Sequence, residues 1–173
     1  YAVAKIAGLK LCESYNRQYG TVFQTLLPTN LYGIYDNFHP ENSHVIPGLM
    51  NRIHEAKAED LPEVQIWGSG LAKREFLFVD DFVDACMFLL DNNKDHAPVN
   101  IGSQQEVTVR ELAETMSEVI GYKGRLNFDT SKPDGMLLKK VDTSKMDVLG
   151  WKAPTPLREG LQKVYGWFLT NNI

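Results

Sequence analysis

The sequence predicts an α/β fold, on three observations. Stretches with helical spacing alternate with short apolar runs. Several helical stretches carry their own start or stop residues. No repeat, low-complexity tract or linker divides the 173 residues, a length suited to one core-bearing domain or one lobe of a larger enzyme.

Residues 2–19 form an amphipathic helix closed by Gly20, the residue type that most readily takes the left-handed C′ conformation. At about 100° per residue, Ala4, Gly8, Leu11, Cys12, Tyr15 and Tyr19 share one stripe, opposite Lys10, Glu13 and Arg17. Residues 22–27 are a mostly apolar run suited to a buried parallel strand, ended by Pro28-Thr29-Asn30. A polar loop follows through Asp36-Asn37-Phe38-His39-Pro40. A helix is predicted over 45–58 and a strand over 63–67. Gly68-Ser69-Gly70 lacks the strand-to-helix setting and glycine spacing of a phosphate loop, so a hairpin turn is expected there.

Residues 74–79 form the next expected strand. Asp80 is the expected cap of a helix running to about Leu90, with Asp81 favourable in its first turn. Residues 99–101 form a short strand. Thr108 and Glu111 have the spacing of a capping box before a helix ending near Gly121. A strand is predicted over 125–128, and Thr155-Pro156 opens the last helix with proline at its first position.

Composition narrows the function classes. A net charge of −4 gives no basic field for nucleic acid, and no apolar run approaches the roughly 20 residues that span a bilayer. Cys12 and Cys86 lie within apolar helical patterns, which suggests a reduced compartment without a disulfide framework. The chain opens at Tyr1 with helix already under way. A fragment is therefore expected, with room for an upstream targeting signal.

Tyr1 and Lys5 stand one helical turn apart on one face. A nearby ammonium favours the phenolate, which suits a tyrosine to proton transfer near neutral pH. As a lone pair they read first as a helix-surface pair. Pro28-Thr29-Asn30-Leu31-Tyr32-Gly33 follows the next predicted strand, where α/β folds bind ligands. Arg74 opens the segment Arg74-Glu75-Phe76-Leu77-Phe78-Val79-Asp80-Asp81, and an arginine there can clamp a diphosphate with two parallel donors. Its plain alternative is an exposed edge-strand charge.

Together, in this order, these motifs and the Val99-Asn100-Ile101-Gly102 strand resemble the extended short-chain dehydrogenase/reductase family. The resemblance spans nearly the whole chain. It implies the C-terminal part of an extended Rossmann-type NADP-binding fold, interleaved with a smaller substrate-binding lobe. It also implies NADP(H) as cofactor. Tyr1 would protonate a carbonyl oxygen, Lys5 would hold the nicotinamide ribose, and Pro28, Thr29, Asn30 and Leu31 would contact the cofactor.

Residues 36–47, with Asn42-Ser43-His44-Val45-Ile46-Pro47 at their end, narrow the resemblance. They are similar to the branch of the family that epimerises and then reduces GDP-4-keto-6-deoxy-D-mannose, giving GDP-L-fucose. This implies His44 as an epimerisation acid/base that also touches the cofactor, a role suited to an imidazole titrating near neutrality. It implies substrate contacts from Arg52, Trp67, Arg74 and Asp134. A homodimer formed partly through the first helix, and a cytoplasmic setting, are implied as well.

The family's glycine-rich fingerprint, catalytic serine and epimerisation cysteine have no counterpart here, and their expected place is before Tyr1. Without the pyrophosphate cradle the chain alone is expected to be inactive. Two alternatives stand beside this reading: another nucleotide-sugar epimerase or dehydratase of the same family, and a non-catalytic dinucleotide-binding module.

Overall fold

The computed structural model describes residues 1–95 and 97–171. Along the chain run α1 (Ala2–Tyr19), β1 (Leu26–Pro28), β2 (Asn30–Tyr32), α2 (Val45–Ala58), β3 (Glu63–Trp67), β4 (Lys73–Phe78) and α3 (Val79–Asn92). Then come β5 (Val99–Ile101), β6 (Glu106–Thr108), α4 (Val109–Ile120), β7 (Arg125–Asp129), α5 (Ser144–Leu149) and α6 (Leu157–Thr170). The fold is α/β, as expected. Its strands pair as β1–β5, β2–β4 and β3–β7, all parallel, and β6 joins β4 antiparallel. Each parallel pair is joined by a crossover containing at least one helix, because parallel partners cannot be joined by a tight turn.

Two apolar clusters form the interior. In the larger, Ile46, Leu49, Met50 and Ile53 of α2 make a stripe at helical spacing. They pack with Val64 and Ile66 of β3, Met116 of α4 and Phe168 of α6. Strand alternation turns Val64 and Ile66 inward and leaves Gln65 and Trp67 outward. The smaller cluster holds Leu77, Ala85, Leu89, Val99, Ile101, Met146 and Trp151. Polar ties on α3 fasten the chain before α6: Asp84 accepts from Trp151 Nε1 at 2.8 Å, and Asp81 accepts from Thr155 N and Oγ1 at 3.0 and 2.6 Å.

The capping box at Thr108 forms in full, with Glu111 N donating to Thr108 Oγ1 at 3.0 Å and Thr108 N to Glu111 Oε2 at 2.7 Å. Gly20 closes α1 at φ 64°. Other expectations are corrected. The strand placed at 22–27 is Leu26–Pro28, half-buried or exposed rather than buried. Asn16 takes the backbone before it: its Oδ1 accepts from Phe23 N and its Nδ2 donates to Phe23 O, so no ladder starts there.

Asp80 does not cap α3. Strand β4 ends at Phe78, which occupies the cap position directly, and Asp80 and Asp81 fall in the first turn. Gly68-Ser69-Gly70 is no hairpin, since β3 and β4 pair with different strands. Pro156 sits at the cap of α6 rather than at its first helical position. Strand β4 begins one residue before the predicted start, and α3 extends to Asn92. β2, β6 and α5 were not predicted.

Candidate active site

Tyr1 begins α1, where Lys5 N donates to Tyr1 O at 3.2 Å. The Lys5 ammonium lies 5.3 Å from the Tyr1 ring centroid. Both side chains line a cavity of about 580 Å³ together with Pro28, Thr29, Asn30, Leu31, His44, Lys139 and Lys140. Three segments far apart in sequence, each carrying expected site residues, therefore meet around one space. Lys139 and Lys140 were missed. They follow Met136-Leu137-Leu138, and nothing in that sequence distinguishes them from other exposed lysines. Only the return of this loop to β4, where Lys73 N donates to Leu137 O at 2.8 Å, brings them to the cavity.

The segment after β1 is built by its own motif residues. Thr29 N donates to Ile101 O, and Asn30 Nδ2 donates to Glu75 O, both at 2.9 Å. A Cβ on Gly33 would collide with Val79, so glycine lets α3 start beside this strand. Tyr32 is 3% exposed, and burial, with Asp81 and Glu159 adding to it, pushes its phenol far above the ordinary tyrosine value. Tyr32 is thus a poor proton donor. Tyr1, 97% exposed and beside an ammonium, is the better placed of the two.

A second cleft, about 940 Å³, runs between α2 and β3 and includes His44, Arg52, Gln65 and Trp67 in its walls. Arg52 Nε donates to Gly48 O at 3.2 Å, and burial lowers the guanidinium pKa from its usual value. Trp67 is 67% exposed, so core packing is not its role. Two cations flank its ring, Arg52 at 5.9 Å and Lys132 at 5.8 Å. His44 borders both spaces, standing at the N-cap of α2.

Arg74 and Asp134 are set differently. Arg74 Nη1 donates to Lys73 O at 2.8 Å and Met136 O at 2.5 Å, and Nη2 donates to Asp134 O at 3.4 Å. Asp134 accepts from Ser69 N at 2.7 Å and from Ser69 Oγ at 2.8 Å. Neither residue lines the two cavities. Together they brace the loop that leads to Lys139 and Lys140, so Arg74 is not the free edge charge that the sequence allowed.

Cys12 and Cys86 are free thiols. Among the described residues no helix is long and apolar enough to cross a membrane.

The chain is also similar to known proteins. The chain is 55% identical to GDP-L-fucose synthase 1 of Arabidopsis thaliana over 171 residues, covering 99% of this chain and 53% of that protein. It is 51% identical to GDP-L-fucose synthase of Escherichia coli (strain K12) over 180 residues, covering 99% of this chain and 56% of the relative. The NADP-bound crystal structure of a GDP-L-fucose synthetase from Naegleria fowleri superposes with a TM-score of 0.88 at 30% identity, over 99% of this chain and 56% of that one. The chain thus spans about half the length of the curated relatives it matches. Residues 1–102, which carry Tyr1, Lys5, the 28–33 loop, His44 and Arg74, match the NAD dependent epimerase/dehydratase family, and the chain belongs to that family.

Proposed function

We propose that this chain supplies the Tyr–Lys pair, the histidine and the nucleotide-sugar cleft of an NADPH-dependent enzyme that converts GDP-4-keto-6-deoxy-D-mannose into GDP-L-fucose. One observation carries the reading. Tyr1, Lys5, His44 and residues 28–31 surround one cavity, and His44 also borders the cleft that holds Arg52 and Trp67. The names of the relatives at 51 and 55% identity support it.

The nicotinamide–ribose half of NADP(H) suits the smaller cavity. Its volume is adequate, Lys5 is placed for ribose hydroxyls, and buried Thr29 Oγ1 has no partner among the described residues. Thr29 and Asn30 would flank the ring, with Pro28, Leu31 and His44 around them. When bound, the cofactor supplies hydride to the ketone carbon. His44 takes and returns a proton at a carbon beside the ketone, the enolate oxygen being held by the Tyr1 hydroxyl. Tyr1 then gives its proton to the ketone oxygen, and Lys5 stabilises the phenolate left behind.

Arg52 and Trp67 hold the nucleotide. Arg74 and Asp134 serve the substrate side through the loop they brace, which carries Lys132 beside Trp67 before it reaches Lys139 and Lys140. The smaller apolar cluster belongs, in this reading, to the dinucleotide-binding half and the larger to the substrate lobe. A homodimer using the exposed face of α1, in the cytoplasm, completes the proposal.

The test uses the full-length protein with GDP-4-keto-6-deoxy-D-mannose in deuterated water, with and without NADPH, followed by mass spectrometry. Tyr1→Phe is expected to lose reduction more severely than proton exchange. His44→Gln is expected to slow exchange beside the ketone, and product formation falls with it. Exchange at the wild-type rate in His44→Gln would remove His44 from the acid/base role. Failure to form GDP-L-fucose at all would leave another epimerase or dehydratase activity.

A further inference from the structure

Glu75 lies between Arg74 and Phe76 on β4 and is 1% exposed, with no ion pair among the described residues. Its Oε1 accepts from Gln104 N at 2.7 Å, while Oε2 is buried without a partner among the described residues. An unpaired carboxylate in such a place is costly, and an apolar side chain there would be cheaper.

Its surroundings point to the cavity. Gly102 is pinched between Glu75 and Thr29: a Cβ there would collide with Glu75 Oε1 and come within 3.2 Å of Thr29 Cγ2. The carboxylate therefore lies directly behind Thr29, which lines the cavity on its other side. Asn30 Nδ2 donates to Glu75 O, tying the same loop to the same residue. On the far side, Glu75 holds Gln104 at φ 62°, a left-handed conformation costly for a non-glycine residue. Gln104 Nε2 in turn donates to Thr143 Oγ1 at 3.0 Å and to Asp147 Oδ1 at 2.7 Å. Glu75 thus joins the loop at 28–31, the turn after β5 and helix α5. Its charge reaches the cavity wall as well. The Lys140 ammonium is raised above its ordinary value chiefly by Glu106, and Glu75 adds to the effect.

We propose that Glu75 is a positioning residue for the nicotinamide side of the cavity. It fixes residues 28–31 from behind, and as an anion behind that loop it favours the oxidised, positively charged ring over the reduced, neutral one. This rests on the NADP(H) reading above.

The experiment measures Kd for NADPH by its fluorescence, and for NADP+ by displacement, in the full-length protein and two variants. Glu75→Gln keeps the shape and removes the charge. It is expected to raise the ratio Kd(NADP+)/Kd(NADPH) by on the order of three- to twentyfold, the size of one charge acting through partly screened protein. Glu75→Asp keeps the charge on a shorter stem, so both affinities should fall while the ratio holds within about twofold.

A folded Glu75→Gln with an unmoved ratio overturns the proposal. Should that variant not fold, Glu75→Asp decides: a changed ratio, or affinities equal to wild type, overturns it. Wild-type protein that binds neither dinucleotide overturns the NADP(H) reading itself, a result distinct from either.

Discussion

Helices α1 and α4 share much at the level of sequence and little in their surroundings. Each has an amphipathic pattern, and each closes on a glycine in the left-handed conformation. Helix α4 opens on a full capping box and buries Leu112, Ala113, Met116 and Ile120. Helix α1 has no side-chain cap and buries none of its residues, leaving Leu11 59% and Tyr19 63% exposed. Helical pattern therefore states which face can be buried but not what buries it. The consequence for the site is uneven support. His44, Arg52 and Trp67 stand on elements of the larger core, whereas Tyr1 and Lys5 ride on a helix whose apolar side meets little else in this chain.

Substitutions at three positions would break or sharpen that contrast. The largest effect is expected on α4: Met116→Ala should destabilise the 173-residue chain by about 2–5 kcal/mol, through lost burial and the cavity left behind. Urea denaturation followed by circular dichroism measures it. The second concerns the better-supported side of the site. In the full-length protein, Arg74→Ala should weaken nucleotide-sugar binding by about 2–4 kcal/mol and lower NADPH affinity by less, since the loop it braces also leads to Lys139 and Lys140. Arg74→Lys should restore only part, because a single ammonium cannot match the guanidinium's bonds to Lys73 O, Met136 O and Asp134 O. Calorimetric titration with each ligand separates the two losses, and equal losses would place Arg74 on the wrong side. The smallest effect is expected on α1. Leu11→Ala should change the stability of the 173-residue chain by no more than about 0.5 kcal/mol. A loss as large as that of Met116→Ala in the same denaturation experiment would erase the contrast.

Local chemistry was the legible part of the sequence. The capping box at Thr108, the stop at Gly20, and the spans of α2 and β3 follow from neighbouring residues alone, and the structure reproduces them. Tyr1 and Lys5 were visible because their spacing is a single helical turn. What depended on distant partners was not visible. Gly68-Ser69-Gly70 resembles a hairpin until β3 is seen to pair with β7, some 60 residues on, and until Asp134 is seen to hold Ser69. Asn16 displaces the start of β1 through side-chain bonds that no propensity describes. Nothing in its immediate neighbours, an arginine and a phenylalanine, marks Glu75 as buried. Its burial comes from Gly102 and Gln104, which the sequence places almost 30 residues away.

His44 lines four of the cavities, from the space beside Lys5 to those beside Phe76, Trp67 and Tyr35. A residue at such a shared corner cannot be tuned for one ligand alone. Replacing it alters the walls of every compartment at once, so its effects should couple to those of changes at Tyr1 and at Arg52. Among the described residues Tyr1 and Arg52 border different cavities, so changes at these two should act nearly independently. Any attempt to redirect the site toward another ligand therefore has more freedom at its two ends than at the corner that joins them.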